Sequence, residues 1–274
     1  MYGAIIGDTV GSVYEWHNIK TKDFPFFQRR CFPTDDSFMT VAVAKACLKY
    51  ADNPDRDLGE FREVLVREMR RIGSLYPNKG YGGHFRLWLL DEDMGPYGSC
   101  GNGSAMRVSP CGWMAGSLEE AEALAEASSD VTHDHPEGIK GAKATAAAIY
   151  LARTGCTRAE IRAYIQEHYY PMDRLLKDIR PVYTFDGTCQ GTVPEAIEAF
   201  LESTSFEDAV RNAISLGGDS DTLAAITGSI AEAYYGVPER IRADADQFLR
   251  RDMLSYELEI IDQFCTRFVT KKED

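Results

Sequence analysis

The chain has little that would mark it as a secreted, membrane or nucleic-acid-binding protein. No apolar stretch among its 274 residues approaches the length of a membrane-spanning helix, and residues 1–10 lack the basic start and cleavage signal of a secretory peptide. Seven cysteines, an odd number with no CxxC pair, fit a reducing compartment better than a disulfide framework, so a cytoplasmic location is expected. Basic residues are in deficit, 30 against 43 acidic ones, and the formal net charge of −13 excludes a broad basic surface for nucleic acid. It does not exclude a substrate attached to nucleic acid. Histidine is scarce, with five in the chain. The His133-x-His135 pair has neither companion cysteines nor an HExxH pattern, so it reads as turn histidines rather than a closed zinc site. Strand-like alternation is nearly absent, Val182 to Phe185 being the best candidate. Neither GxGxxG nor GxxxxGK[ST] occurs. No repeat, low-complexity tract or linker divides residues 1–274, which are expected to form a single domain.

What is present is helix after helix. Leu58, Phe61, Leu65, Met69 and Ile72 form an apolar stripe, and Leu258, Ile261, Phe264, Cys265 and Phe268 form another. Ser117 with Glu120, and Thr157 with Glu160, have the spacing of capping boxes. Glu137 to Arg153 is alanine-rich and ends near Gly155, a suitable C-terminal cap. Ser205 precedes a further apolar run, and Pro194 is expected in the first turn of a helix carrying Ala196, Ile197, Phe200 and Leu201. The fold class is all-α.

Two acidic clusters stand before strongly helical runs: Thr34-Asp35-Asp36, and Gly217-Gly218-Asp219-Ser220-Asp221-Thr222. A single Ser, Thr or Asp there would be an ordinary N-cap. Several carboxylates at each of two helix starts exceed what capping needs and offer hard oxygen ligands for Mg²⁺, Mn²⁺ or Ca²⁺. The helix dipole keeps such carboxylates ionised but repels a cation, so several must converge to hold one. These clusters read as a divalent, dinuclear metal centre. Glycine-bearing segments punctuate the helices. Gly3, Gly7 and Gly11 would let two helices approach closely, with Asp8 read as a local hydrogen-bonding residue. Lys79 to His84 is a turn, and Ser99-Cys100-Gly101-Asn102-Gly103-Ser104 exposes backbone N–H groups that could receive a phosphate. Arg107 is expected in a salt bridge, and Asp91-Glu92-Asp93 reads as a solvated loop.

Taken in order, Gly7-Asp8-Thr9-Val10-Gly11-Ser12-Val13-Tyr14-Glu15, Thr34-Asp35-Asp36-Ser37, Gly101-Asn102-Gly103-Ser104-Ala105-Met106-Arg107, Thr132-His133 and Gly217 to Thr222 resemble the ADP-ribosylglycohydrolase family, from residue 3 to about residue 237. The resemblance implies an orthogonal helical bundle with two Mg²⁺ (or Mn²⁺) ions in a central cleft. It also implies metal-dependent hydrolysis of the bond linking ADP-ribose to an acceptor, with release of ADP-ribose. Carried over by position, Thr34, Asp35, Asp36, Asp219, Asp221 and Thr222 are the implied metal ligands, Asp221 being shared. Glu15, Asp35 and Asp36 are the implied catalytic groups, Glu15 on a segment that closes over the metals. Gly82, Gly83, Ser99, Cys100, Gly101, Asn102, Gly103, Ser104 and His133 are the implied ADP-ribose contacts. Cys100 stands where relatives carry an aromatic residue, so stacking on the adenosine side is expected from elsewhere. The acceptor, whether arginine, serine or another group, is not legible. No exposed apolar face announces an interface, so a monomer is the default expectation. Three rivals stay in view: a Mg²⁺-dependent terpenoid-synthase-like enzyme, which would want a DDxxD run that Asp35 to Met39 lacks; a non-catalytic ADP-ribose-binding or crystallin-like protein; and an unrelated helical protein whose clusters are caps.

Overall fold

The residues after the second acidic cluster form a helix that is buried from Ser220 to Ala233, and the rest of the molecule is arranged around it. The computed structural model describes residues 1–269. Among these, fifteen helices follow in chain order: α1 (Tyr2–Gly11), α2 (Asp35–Asp52), α3 (Leu58–Leu75), α4 (Gly83–Leu90), α5 (Gly103–Met106), α6 (Ser109–Met114), α7 (Leu118–Ser129), α8 (Pro136–Arg153), α9 (Arg158–His168), α10 (Leu176–Ile179), α11 (Cys189–Leu201), α12 (Phe206–Ile214), α13 (Ser220–Tyr235), α14 (Glu239–Asp252) and α15 (Ser255–Phe268). No strand forms among the described residues, and the architecture is all-α. Helices α1, α8, α11 and α12 pack on α13, while α2 runs beside α1, α3 and α15. No helix of the described residues is long and apolar enough to cross a membrane.

The closest of these contacts is written in glycine. A Cβ on Gly7 would stand 1.9 Å from the Ala224 carbonyl oxygen, one on Gly3 2.1 Å from that of Gly228, and one on Gly11 2.5 Å from the Asp221 Cα. Spaced four apart, the three glycines lie on one face, so the α1 backbone rests directly on α13. Two charged side chains gain their places from this contact. Glu232 of α13 accepts from Tyr2 N (3.1 Å) and Gly3 N (2.9 Å), and it pairs with the Met1 ammonium. One turn short of the far end, Asp8 arrives beside the start of α2.

Local signals account for most boundaries. Thr157 and Glu160 form a full capping box, whereas at Ser117 only half is made: Ser117 accepts from Glu120 N, but the Glu120 carboxylate turns to Gly116 N and Arg56. Gly155 follows α8 at φ +94°. Two expectations are corrected. Val182 to Phe185 pairs with no strand, because Val182 N and Tyr183 N donate back to Ile179 O and close a helical turn. Pro194 does not open a helix. Thr188 caps α11 by accepting from Gly191 N, so the helix begins at Cys189 and carries Pro194 in its interior. The proline leaves Gln190 O without its usual donor, a loss borne near the surface.

Candidate metal and substrate cleft

Both acidic clusters begin helices, and both helices begin at the same place. Asp35 N donates to Lys79 O at 2.7 Å, which fixes the start of α2 against the Lys79–Gly83 turn. Consecutive left-handed glycines, Gly217 (φ +73°) and Gly218 (φ +71°), turn the chain into α13. A side chain at Gly218 would also meet the Tyr183 ring at 2.7 Å, so two separate constraints demand glycine there.

The carboxylates converge as two triads. Oxygens of Asp8, Asp36 and Asp221 lie within 4.8 Å of one another, as do oxygens of Glu15, Asp219 and Asp221. Asp221 belongs to both. Asp8, Asp36, Asp219 and Asp221 are buried, and Asp36 Oδ1 has no hydrogen-bond partner. Thr222 Oγ1 reaches Asp36 Oδ2 at 3.4 Å, the direct link between the two helix starts. Burial first, and then mutual repulsion, pushes the Asp35, Asp36 and Asp221 carboxyls well above the usual range. Burial, Asp219 and Asp8 raise Glu15 to about 7. Such a concentration of desolvated acid offers oxygen donors that could hold a hard divalent cation, the unpartnered Asp36 Oδ1 among them.

Asp8 is no local hydrogen-bonding residue. It reaches across to α2, where Oδ2 accepts from Thr34 N (2.9 Å), Ser37 N (3.1 Å) and the Ser37 hydroxyl, and Oδ1 accepts from Thr34 Oγ1 at 2.6 Å. Burial raises it to about 6 against these four bonds. Asp8 thus orients Thr34 and Ser37 through Oδ2, while Oδ1, with a single donor, keeps a lone pair facing the triad. Because Thr34 gives its hydroxyl proton to Asp8, a lone pair on Thr34 Oγ1 is left for a cation.

A cavity of about 310 Å³ opens over the triads. Of the residues singled out from sequence, Glu15, Asp35, Asp36, Gly82, Gly83, Ser99, Gly101, Asn102, Gly103, His133, Asp219, Asp221 and Thr222 line it. Thr34, Cys100 and Ser104 do not. Thr34 is turned to Asp8; the Cys100 carbonyl caps Cys189 N; Ser104 is buried and donates to Gly138 O at 2.7 Å. Asn102 does more than line the wall: its amide donates to Asp219 Oδ2 at 2.8 Å, which ties the glycine loop to the second cluster. Gly80, not singled out beforehand, is the glycine of the 79–84 turn that approaches a carboxylate, since a Cβ there would lie 2.8 Å from Asp35 Oδ1. Gly82 and Gly83 have open space instead.

Among the described residues Arg107 makes no salt bridge. Its buried guanidinium donates to Ser128 O and Thr132 Oγ1, each at 2.8 Å, and desolvation lowers it to about 10. Arginine can only donate, so Thr132 must accept from it, and Thr132 Oγ1 also lies 2.8 Å from His133 Nδ1. The contact is met either by Thr132 donating to Nδ1, with the ring proton on Nε2, or by Nδ1–H donating to the second lone pair of Thr132, and we assign the first. Burial, then the Arg107 charge, holds His133 well below the ordinary histidine range. Side chains built on Gly101 and Gly103 would meet Nε2 at 3.4 and 3.1 Å, so this N–H donor borders the loop. Thr132→Val is expected to replace the single Nε2–H form by a tautomer mixture in imidazole ¹⁵N shifts; an unchanged spectrum would contradict the relay.

Comparison with known proteins agrees with this architecture. The ADP-ribosylglycohydrolase family model matches residues 1–272. ADP-ribosylhydrolase ARH3 of Mus musculus is 26% identical over 335 residues, covering 93% of this chain and 89% of the relative. ADP-ribosylarginine hydrolase Tri1 of Pseudomonas putida (strain GB-1) is 27% identical over 267 residues, covering 86% and 70%. A solved ADP-ribosylglycohydrolase-related protein complex superposes with a TM-score of 0.66 at 22% identity over 98% of this chain and 96% of its own, a likeness of fold. The family model and the named relatives are those of ADP-ribosylhydrolases. The chain belongs to the ADP-ribosylglycohydrolase family.

Proposed function

We propose that this protein hydrolyses the glycosidic bond between ADP-ribose and a modified acceptor, using two divalent ions, Mg²⁺ or Mn²⁺, held by Thr34, Asp35, Asp36, Asp219, Asp221 and Thr222. The observation that carries this reading is the pair of carboxylate triads sharing Asp221 beneath the cavity that also holds the glycine loop and His133. Bound ions would supply Lewis acidity toward the ribose hydroxyls and a water of lowered pKa. Around them the protein's own groups divide the work. The backbone N–H groups of Gly101 to Gly103 and the Nε2–H of His133 receive the diphosphate, and the rings of Tyr97 and Phe85 in the cavity wall offer the adenosine-side contact that Cys100 does not. Ionised Asp35 and Asp219 stabilise positive charge on the ribose as the bond stretches. Oxygen of the water bonds to the anomeric carbon, and the carbon–acceptor bond breaks with its electron pair going to the acceptor. Glu15, in the cavity beside Asp219 and Asp221, takes the water's proton and returns one to the acceptor. The hydrolase names of the relatives ARH3 and Tri1 support the reaction class. Calorimetric titration with ADP-ribose in Mg²⁺ tests the reading cheaply: micromolar binding that weakens in chelator is expected, and no binding in either condition would overturn it.

A further inference from the structure

A second cavity, of about 500 Å³, shares no residue with the carboxylate cleft. It opens between the first turns of α8, one face of α11 and the segment from Tyr170 to Arg174. Arg162 fixes that segment by donating to Met172 O at 2.8 Å, and it pairs with Glu198 of α11 at 2.7 Å. Pro171, Met172 and Pro194 make part of the wall apolar. The rest is polar and incompletely bonded. Tyr170 is 3% exposed and its hydroxyl has no partner; Glu198 is 1% exposed and its Oε2 meets no donor; Glu137 Oε2 meets none either. Three buried polar atoms left unpaired around one cavity are costly unless something occupies it. Carboxylate also outnumbers cation there. Glu137, Asp173, Glu195 and Glu198 stand in the wall against Lys140 and Arg174. Lys140 pairs with Glu137, Arg174 with Glu195, and Arg162, outside the wall, with Glu198, so among the described residues Asp173 is left without an ion pair. Burial first, then Asp173 beside Glu195 and Glu202 beside Glu198, holds these two carboxyls above their usual range against their arginines.

We infer that this second cavity is a binding site for a small organic ammonium ion carried on an apolar stem. The site stands apart from the proposed reaction and does not rest on it. Two of the three unpaired atoms are carboxylate oxygens, which can only accept, and an ammonium brings three donors. Its charge answers the surplus carboxylate, and the proline and methionine wall takes the stem. The protein's own Lys140 already shows the mode. Its ammonium lies 4.4 Å from the centre of the Tyr170 ring and donates to Glu137 Oε1 at 3.2 Å, an aromatic face and a carboxylate acting on one cation. A bare metal ion fits the place less well. Among the described residues these carboxylates form no triad within 4.8 Å, as those of the cleft do. An anion would meet the surplus negative charge, and a neutral molecule would leave it unanswered.

Butylammonium, butanol and butyrate share a stem and differ in charge, so they serve as probes. Calorimetric titration of the full chain in Mg²⁺ should give saturable butylammonium binding with a Kd below about 1 mM, and no measurable binding of the other two. Glu195→Gln, which keeps the shape of the wall, should raise that Kd about tenfold. Asp173→Asn, at an exposed position that does not hold the core, should raise it about threefold. Asp221→Ala, in the cleft, should leave it unchanged, which separates this cavity from the carboxylate triads. Nα-acetyl-lysine amide presents the same ammonium on a backbone: tighter binding than butylammonium would name a protein side chain as the source of the ligand, and weaker binding a free amine. Butanol binding as well as butylammonium, loss of binding in Asp221→Ala, a Kd indifferent to both wall variants, or no saturable butylammonium binding would each overturn the site.

Discussion

Asp221→Ala should lower turnover by at least about 10³-fold while the helical circular dichroism stays unchanged, because this one carboxylate serves both triads. A loss of that size corresponds to about 4 kcal/mol of transition-state stabilisation, the scale expected when a divalent cation and its activated water are lost. The variant should also fail to retain two ions per chain in equilibrium dialysis. Glu15→Gln provides the contrast: Glu15 belongs to one triad only, so turnover should fall while ion binding is largely kept. Fold retention is expected on physical grounds, since Asp221 stabilises nothing by ion pairing, and removing it relieves repulsion from Asp219 and Asp36. Asp221→Ala with wild-type turnover would contradict the shared-ligand arrangement.

In chelator, the melting temperature should fall by at least about 5 °C between pH 6 and pH 8, and Mg²⁺ should reverse the trend. The sign follows from the direction of the shifts. Asp35, Asp36 and Asp221 are raised well above the ordinary carboxylate value, Asp8 to about 6 and Glu15 to about 7. Groups raised in the folded state bind protons more tightly there than in the unfolded chain, so stability drops as pH rises from the unfolded values, near 4, through the folded ones. The loss reaches neutral pH through Asp8, at about 6, and Glu15, at about 7. A divalent cation competes with those protons, so its stabilising effect should grow as pH rises. At one hundred times its Kd the gain is about 2.7 kcal/mol, or roughly 5–10 °C for a chain of this size. A chelated protein whose melting temperature rises from pH 6 to 8, or one indifferent to Mg²⁺, would show that the carboxylates are not a cation site.

Much of this arrangement was legible in the sequence because it is local. Caps at Thr157 and Ser205, the stripe from Phe61 to Ile72, and the acidic helix starts at Thr34 and Asp219 each declare themselves within a few residues. The glycines at 3, 7 and 11 promised a close helix contact, and α13 is what they meet. What escaped depends on partners distant in the chain. Asp8 becomes part of the acidic centre only because the glycine face seats α1 on α13, and nothing next to it names Thr34 or Ser37 as its donors. Arg107 looked like half of a salt bridge; its partners are a carbonyl and a hydroxyl, which no charge pattern reveals. The ring of Trp16 stacks on that of Phe185, which joins residues from opposite halves of the chain. Pro194 misled because the helix start at Thr188 depends on a side-chain cap, which outranks the usual preference of proline for a first turn.

The measurement that tests the central claim most directly is release of free ADP-ribose from an ADP-ribosylated peptide by protein stripped with chelator, before and after Mg²⁺ is restored. The account predicts negligible release from the stripped protein and full recovery with Mg²⁺, in the wild type but not in Asp221→Ala. Undiminished release from the stripped protein, or recovery in Asp221→Ala equal to the wild type, would contradict it.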